Sequence, residues 1–149
     1  MPHAVELTGL TELTETASID HCECLRLLHL GSLGRVVFTK AAMPAAQPVT
    51  YVLDREEIVF RAGSGSPLGI ATRHAVVAFQ TDDIDVDTHT GWSVLGIGQT
   101  YQVTDPDRLA HLTGSQLVPG ASAEPALTIA IRLPRLTGRR LRPAPAAPS

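Results

Sequence analysis

Apolar and polar residues follow two different periods along this chain, and the change of period divides it. After Ser18, residues Cys22, Leu25, Leu28 and His29 recur at helical spacing until Gly31 and Gly34 stop the run. Ser18 offers an N-cap hydroxyl, so one amphipathic helix is predicted over about 19–30. Beyond it come short β-branched and aromatic runs at 35–39 (R-V-V-F-T), 48–53 (P-V-T-Y-V-L), 58–62 (I-V-F-R-A), 75–81 (A-V-V-A-F-Q-T), 91–104 and 126–133. These read as six strands. The longest, 91–104, carries Gly96 and Gly98, which mark a bend or bulge of the kind barrels use. Short helices are predicted at 67–73 and about 105–112.

Residues 54–57 make a hairpin-sized connection, and most of the others are short, which suits antiparallel neighbours. A doubly wound parallel sheet would need crossover helices after most strands. The pattern therefore points to an α+β, mainly β fold: a six-stranded antiparallel barrel with small peripheral helices. Residues 1–17 read as an N-terminal arm, because Gly9 and several threonines interrupt the Leu7, Leu10, Leu13 spacing. Residues 18–142 form the domain, residues 113–125 are irregular, and the Pro/Ala-rich stretch 143–149 reads as a disordered tail.

Composition narrows the class. At 149 residues, 44% apolar and 18% charged, the chain can bury about two thirds of its unfolded surface without staples. A net charge of −3 gives no whole-molecule field for nucleic acid. Acids stop at Glu124 and Arg132, Arg135, Arg139, Arg140 and Arg142 follow, but no aromatic side chains stand beside them to stack bases, so no nucleic-acid module is read. Cys22 and Cys24, two apart on a helix, point in different directions and cannot readily pair, which suits a reducing compartment. No signal peptide, lipidation box or long apolar run is visible. The expectation is a cytoplasmic protein without a membrane partner.

The candidate chemistry sits at 58–68, I-V-F-R-A-G-S-G-S-P-L. An apolar strand delivers Arg61 to the mouth of a Gly/Ser loop, and Ser66-Pro67 suits the N-cap and first position of a helix. Loop amides, hydroxyls and a bidentate guanidinium together form a plausible anion site. The same loop is also an ordinary strand-to-helix connection, and Arg61 has Glu57 or Asp82 as alternative salt-bridge partners. Asp83, Asp85 and Asp87 have the spacing of a calcium loop, but Thr88 and Val94 stand where glycine and glutamate are needed. The histidines show no metal-ligand spacing; His89, near Trp92, is the one placed to act as a proton donor.

Taken in order, L-G-R-V-V-F, P-V-T-Y-V-L-D, I-V-F-R-A-G-S-G-S, V-A-F-Q-T-D-D-I-D, G-W-S-V-L-G-I-G and L-P-R-L-T-G-R-R-L make the chain resemble the pyridoxamine 5′-phosphate oxidase-like family, in its small flavin-binding split-barrel members. The resemblance implies a split barrel that forms a homodimer with cofactor sites between the subunits, flavin mononucleotide (FMN) as the usual occupant, and oxidoreductase chemistry on an unidentified small molecule. It implies that Arg61, Ala62, Ser64 and Ser66 hold the phosphate, and that Thr50, Tyr51, Trp92 and Ser93 lie along the isoalloxazine. Strand alternation sends Thr50 and Tyr51 to opposite faces. The chain departs from the family at Pro67, where many relatives carry lysine or arginine, and at Thr50, where many carry asparagine. Two alternatives follow: the deazaflavin F420, whose polyglutamate tail suits the 135–142 arginines, and a non-catalytic ligand-binding or sensor barrel.

Overall fold

A computed structural model describes residues 14–113 and 125–143. The elements are β1 (Thr14–Ile19), α1 (His21–Leu30), β2 (Leu33–Lys40), β3 (Met43–Thr50), β4 (Val52–Asp54), β5 (Glu57–Gly63), α2 (Pro67–Ala71), β6 (Val76–Asp85), β7 (Thr90–Gln102), α3 (Pro106–Thr113), β8 (Ala126–Ile131) and β9 (Arg135–Pro143). Strands neighbour one another in the order β3-β2-β6-β7-β8-β5-β4, all antiparallel. Only Tyr51 separates β3 from β4, so a single bent strand closes the ring. The six expected staves are therefore all present, with the 48–53 run divided into the end of β3 and β4.

Two further strands were not anticipated. Strand β9 pairs with residues 91–97 of β7, while β8 takes only residues 100–102 of the same edge, and the barrel splits there. Strand β1 pairs with β9 and brings residues 14–17 of the expected arm into the sheet. Gly138 lets these layers close: a Cβ there would lie 2.6 Å from Ile19 and 2.7 Å from Cys24. Residues 1–13, the central part of the irregular 113–125 stretch, and all of the expected tail except Pro143 lie outside the described residues.

Helix α1 starts two residues later than its sequence suggests. Ser18 belongs to β1, and the Asp20 carboxylate caps the Glu23 N–H at 2.8 Å. Its buried face, Cys24, Leu27 and Leu28, joins Val36, Phe60, Phe79, Val94, Ile129 and Ile131 in the main core. A smaller core of Val59, Val103, Leu112 and Ala130 lies outside the barrel wall beneath α3. The β2–β3 and β4–β5 hairpins turn on Ala41-Ala42 and Arg55-Glu56, all four with positive φ, as tight two-residue turns require. Among the described residues no helix is long and apolar enough to cross a membrane.

Helix α3 is pinned by a buried ion network. Arg108, 5% exposed, donates to Asp54 Oδ2 at 2.9 Å, Glu57 Oε1 at 2.9 Å and the Tyr101 hydroxyl at 2.6 Å. The Tyr101 hydroxyl donates in turn to Glu57, and Arg132 stacks 4.6 Å from the Tyr101 ring centroid. Burial alone would lower the Arg108 pKa; its hydrogen bonds to Tyr101, Asp54 and Glu57 outweigh that and raise it.

Candidate functional site

Along β5, Ile58, Phe60 and Ala62 point into the main core, while Val59 and Arg61 face outward. Strand β4 covers only part of β5: Val52 pairs with Val59, Leu53 with Ile58 and Asp54 with Glu57. Continued for two residues, that register would set Thr50 opposite Arg61, but Thr50 has already left to pair with Leu33 of β2. The strands part there, and the 60–63 edge of β5 stays unpaired on that side among the described residues. Arg61 lies in the gap half-buried, and its Nε is buried with no hydrogen-bond partner. Among the described residues it forms no salt bridge: Glu57 is taken by Arg108, Arg132 and Tyr101, and Asp82 pairs with nothing. A buried donor left unpaired costs about 1–3 kcal/mol, a cost that an acceptor at this guanidinium would relieve.

The loop beyond it is only partly available. The Ser66 hydroxyl donates to Gly63 O at 2.8 Å and accepts from Gly69 N at 3.0 Å, so its proton is spent on capping. Ser64 donates its N–H to Pro125 O at 2.9 Å and its carbonyl accepts from Arg73 at 3.2 Å, while its hydroxyl has no hydrogen bond among the described residues. Pro67 opens α2 as expected, but α2 has five residues and accumulates little dipole. Gly69 packs directly on the loop, since a Cβ there would lie 2.0 Å from Gly63 O.

Two expected site side chains belong to the core instead. Ala62 is 7% exposed and Tyr51 is 2% exposed. The Tyr51 hydroxyl donates to Leu28 O at 2.8 Å and its ring meets Phe79 edge-on, with centroids 4.8 Å apart. Burial pushes its phenol up to about 12. Neither side chain is free to meet a ligand on the outer face, because alternation gives that face to Thr50 and Arg61.

Thr50 and Ser93 do face outward with Arg61. Thr50 pairs with Leu33, Asp82 with Ser93 and Ser93 with Arg139, while the Thr81 hydroxyl donates to Leu33 O at 2.8 Å and ties β6 to β2 at that level. Thr50, Leu33, Asp82 and Ser93 thus lie at one level across the outer wall, spanning three strand spacings, or roughly 14 Å, and Arg61 stands beyond the gap from Thr50. Trp92 points the other way; half-buried, it packs on the main core and lines a 280 Å³ cleft with Ser32, Leu33 and Asp83. His89 stays in the β6–β7 turn with φ 56° and meets no proton acceptor among the described residues.

Sequence reasoning missed Arg35. It is exposed one row from Leu33, paired with Pro48 and Gln80, and lines a 180 Å³ outer groove with Gln80 and Asp82. The alternation in R-V-V-F, with Val36 and Phe38 buried, carried the information that Arg35 faces outward. Exposed Val37, Val76 and Leu95 stand on the same side of the sheet as this groove. Among the described residues no group of histidine, cysteine or carboxylate side chains could hold a metal.

The chain is thus an antiparallel split barrel with an arginine set where two staves part and a row of outward-facing residues beyond it on the outer wall. Residues 20–140 match the family model described as pyridoxamine 5′-phosphate oxidase, and the chain belongs to that family. A FAD-binding protein from Mycobacterium smegmatis superposes with a TM-score of 0.75 at 30% identity, covering 85% of this chain and 98% of that one. A FAD-binding protein from Mesorhizobium loti superposes with a TM-score of 0.68 at 18% identity, over 86% and 98% of the two chains, which shows the shared fold. In sequence, an uncharacterised protein of Mycobacterium tuberculosis is 36% identical over 102 residues, 65% of this chain and 67% of that one.

Proposed function

We propose that the chain is a flavin-binding oxidoreductase that works as a homodimer, with the flavin laid along the outer row and its phosphate on Arg61. The observation that carries this reading is the buried, unpartnered Arg61 Nε in the gap between β4 and β5. It fits a phosphate: a permanently charged fork with an unmet donor is what a dianion binds best. A relative 30% identical over almost its whole length being a FAD-binding protein supports the same cofactor class. FMN and FAD both offer the phosphate that Arg61 needs.

When bound, the flavin supplies hydride or electron transfer to or from a small molecule. The chain's own residues bind and orient it. Arg61 neutralises the phosphate, the Ser64 hydroxyl adds a donor at the loop, and Thr50 and Ser93 offer hydroxyls along the row. Pro67 contributes no charge and no N–H, so Arg61 carries a larger share of the anion affinity than it would beside a second cation. A second copy covering the exposed Val37, Val76 and Leu95 would bury apolar surface and exclude water from the row.

The test is a titration of the purified full chain with riboflavin, FMN, FAD and F420, read by flavin fluorescence and visible absorption. FMN or FAD should bind, and Arg61→Ala should weaken FMN by about ten- to a hundredfold, the worth of a charge-assisted hydrogen bond, while leaving riboflavin unchanged. If FMN affinity is the same in the variant, the phosphate assignment is wrong. If only F420 binds, the deazaflavin takes the place of the flavin; if nothing binds, the barrel is a sensor or ligand carrier. Analytical ultracentrifugation checks the dimer.

A further inference from the structure

We propose that the cleft between the C-terminal end of α1 and α3, lying over β4, is a second ligand site that takes a small aromatic cation, an amidine or a protonated amine. Its volume is about 300 Å³, which suits a single-ring ligand. Val52, Leu53 and Leu112 form an apolar wall, His29 and His111 stand in the lining, and Asp54 supplies the charge.

Asp54 is the reason for choosing a cation. Its side chain is only 14% exposed, and its two oxygens are treated differently. Oδ2 accepts from Arg108 Nε at 2.9 Å; among the described residues Oδ1 accepts no hydrogen bond, and His111 Nε2 stands 3.9 Å from it. That is beyond hydrogen-bond reach, so one oxygen of the carboxylate is open to a donor brought into the cleft. Arg108 is shared between Asp54 and Glu57, and Arg132, 62% exposed, sits 3.8 Å from Glu57. Asp54 Oδ1 is the acceptor of this network that faces the cleft. A ligand that brings an N–H cation to that oxygen and lays a flat apolar ring on Val52, Leu53 and Leu112 satisfies both halves of the cleft.

This site is independent of the flavin reading. None of Arg61, Thr50 or Ser93 lines it, and it shares only Gly31 and Ser32 with the neighbouring Trp92 cleft.

The experiment is a ¹H–¹⁵N correlation titration of the full chain with benzamidine and, separately, with benzoate, which has the same ring and the opposite charge. Benzamidine should shift the amides of Leu53, Asp54 and Leu112 saturably and bind about ten- to a hundredfold more tightly than benzoate. Asp54→Asn, which can still accept from Arg108, should abolish that preference. Equal binding of the two probes, shifts that do not saturate or map elsewhere, or a folded Asp54→Asn that keeps the preference would each overturn the proposal. Should Asp54→Asn not fold, Ser32→Phe fills the cleft from an exposed position; it should abolish the benzamidine shifts, and unchanged binding would overturn the proposal.

Discussion

Arg108→Met tests how α3 is held on the barrel. The Arg108 side chain is 6% exposed and the two carboxylates it joins, Asp54 and Glu57, are 14% and 16% exposed. Methionine keeps much of the aliphatic stem, so the loss is electrostatic: two largely buried carboxylates and the Tyr101 hydroxyl lose their common donor. Breaking a buried pair by removing one partner costs about 3–5 kcal/mol. That is a large share of a total stability of about 5–15 kcal/mol, and it lowers Tm by roughly 10–20 °C. The assay is urea and thermal unfolding followed by far-UV circular dichroism. Because the cost lies in the orphaned charges, Asp54→Asn and Glu57→Gln added to Arg108→Met should restore most of it. The Arg108 pKa is raised in the folded protein, so its contribution is complete below the unfolded value and lost only as pH rises through the folded one. Both lie above the pH range in which the chain is handled, so the wild-type-to-variant difference should carry no slope from titration of this guanidinium between about pH 6 and pH 9. A loss below about 1 kcal/mol, or no recovery in the triple variant, would show that the cluster is solvated and does not anchor α3.

Tyr51 offers a pH-dependent test of the core assignment. Its folded pKa is raised by burial to about 12 from 10.0, so the unfolded chain loses its proton first, and stability should fall by up to about 2–3 kcal/mol between about pH 10 and pH 12. Tyr51→Phe should remove that fall and cost about 1 kcal/mol at neutral pH through the lost hydrogen bond, the Leu28 carbonyl keeping only the longer one from Gly31 N, as denaturant unfolding would show. Replacing Ala41-Ala42 with Asn-Gly should raise stability by about 1–2 kcal/mol, since both alanines hold positive φ that the new pair adopts at little cost; no gain in Tm would refute that strain. Gly98→Ala should destabilise by about 2–3 kcal/mol or more, because the added Cβ would lie 1.6 Å from Arg132 O and force β7 away from the end of β8, an effect unfolding curves would reveal.

The six staves were legible because each buries a β-branched or aromatic face and so writes its own pattern: Val36 and Phe38, Ile58 and Phe60, Val77 and Phe79. Strands β1 and β9 bury little of their own. In R-L-T-G-R-R-L-R-P the arginines and the threonine remain outside, and extended structure is imposed by pairing, of β9 with β7 and of β1 with β9, rather than by propensity. What sequence offered there was charge, and the same arginines suggested a polyanion tail before Arg140 was seen paired with Glu23 at 3.2 Å. The α1 start shows the same override: Ser18 and Asp20 are both good caps, and only the pairing of Ser18 with Arg139 decides between them.

The site divides along a comparable line. Arg61 announced itself locally, as a lone cation ending an apolar run, but its importance rests on a non-local fact, the parting of Thr50 from its continued register, which no single stretch encodes. Asp54, Glu57, Tyr101 and Arg108 are separated by up to 54 residues, and each lies in a segment that reads as an ordinary turn, strand or helix. Their convergence follows from barrel closure: β4 must turn back onto β5 at Asp54–Glu57, β7 must end beside β5 through β8, and α3 then has one place to lie, over the exposed backs of Val59 and Ala130. The network that holds α3, and the cleft it leaves against α1, are thus consequences of the ring being closed by a bent strand at Tyr51. Opening that bend should disturb the Arg61 gap and the Asp54 cleft together, since Thr50 stands on one side of it and Val52 to Asp54 on the other.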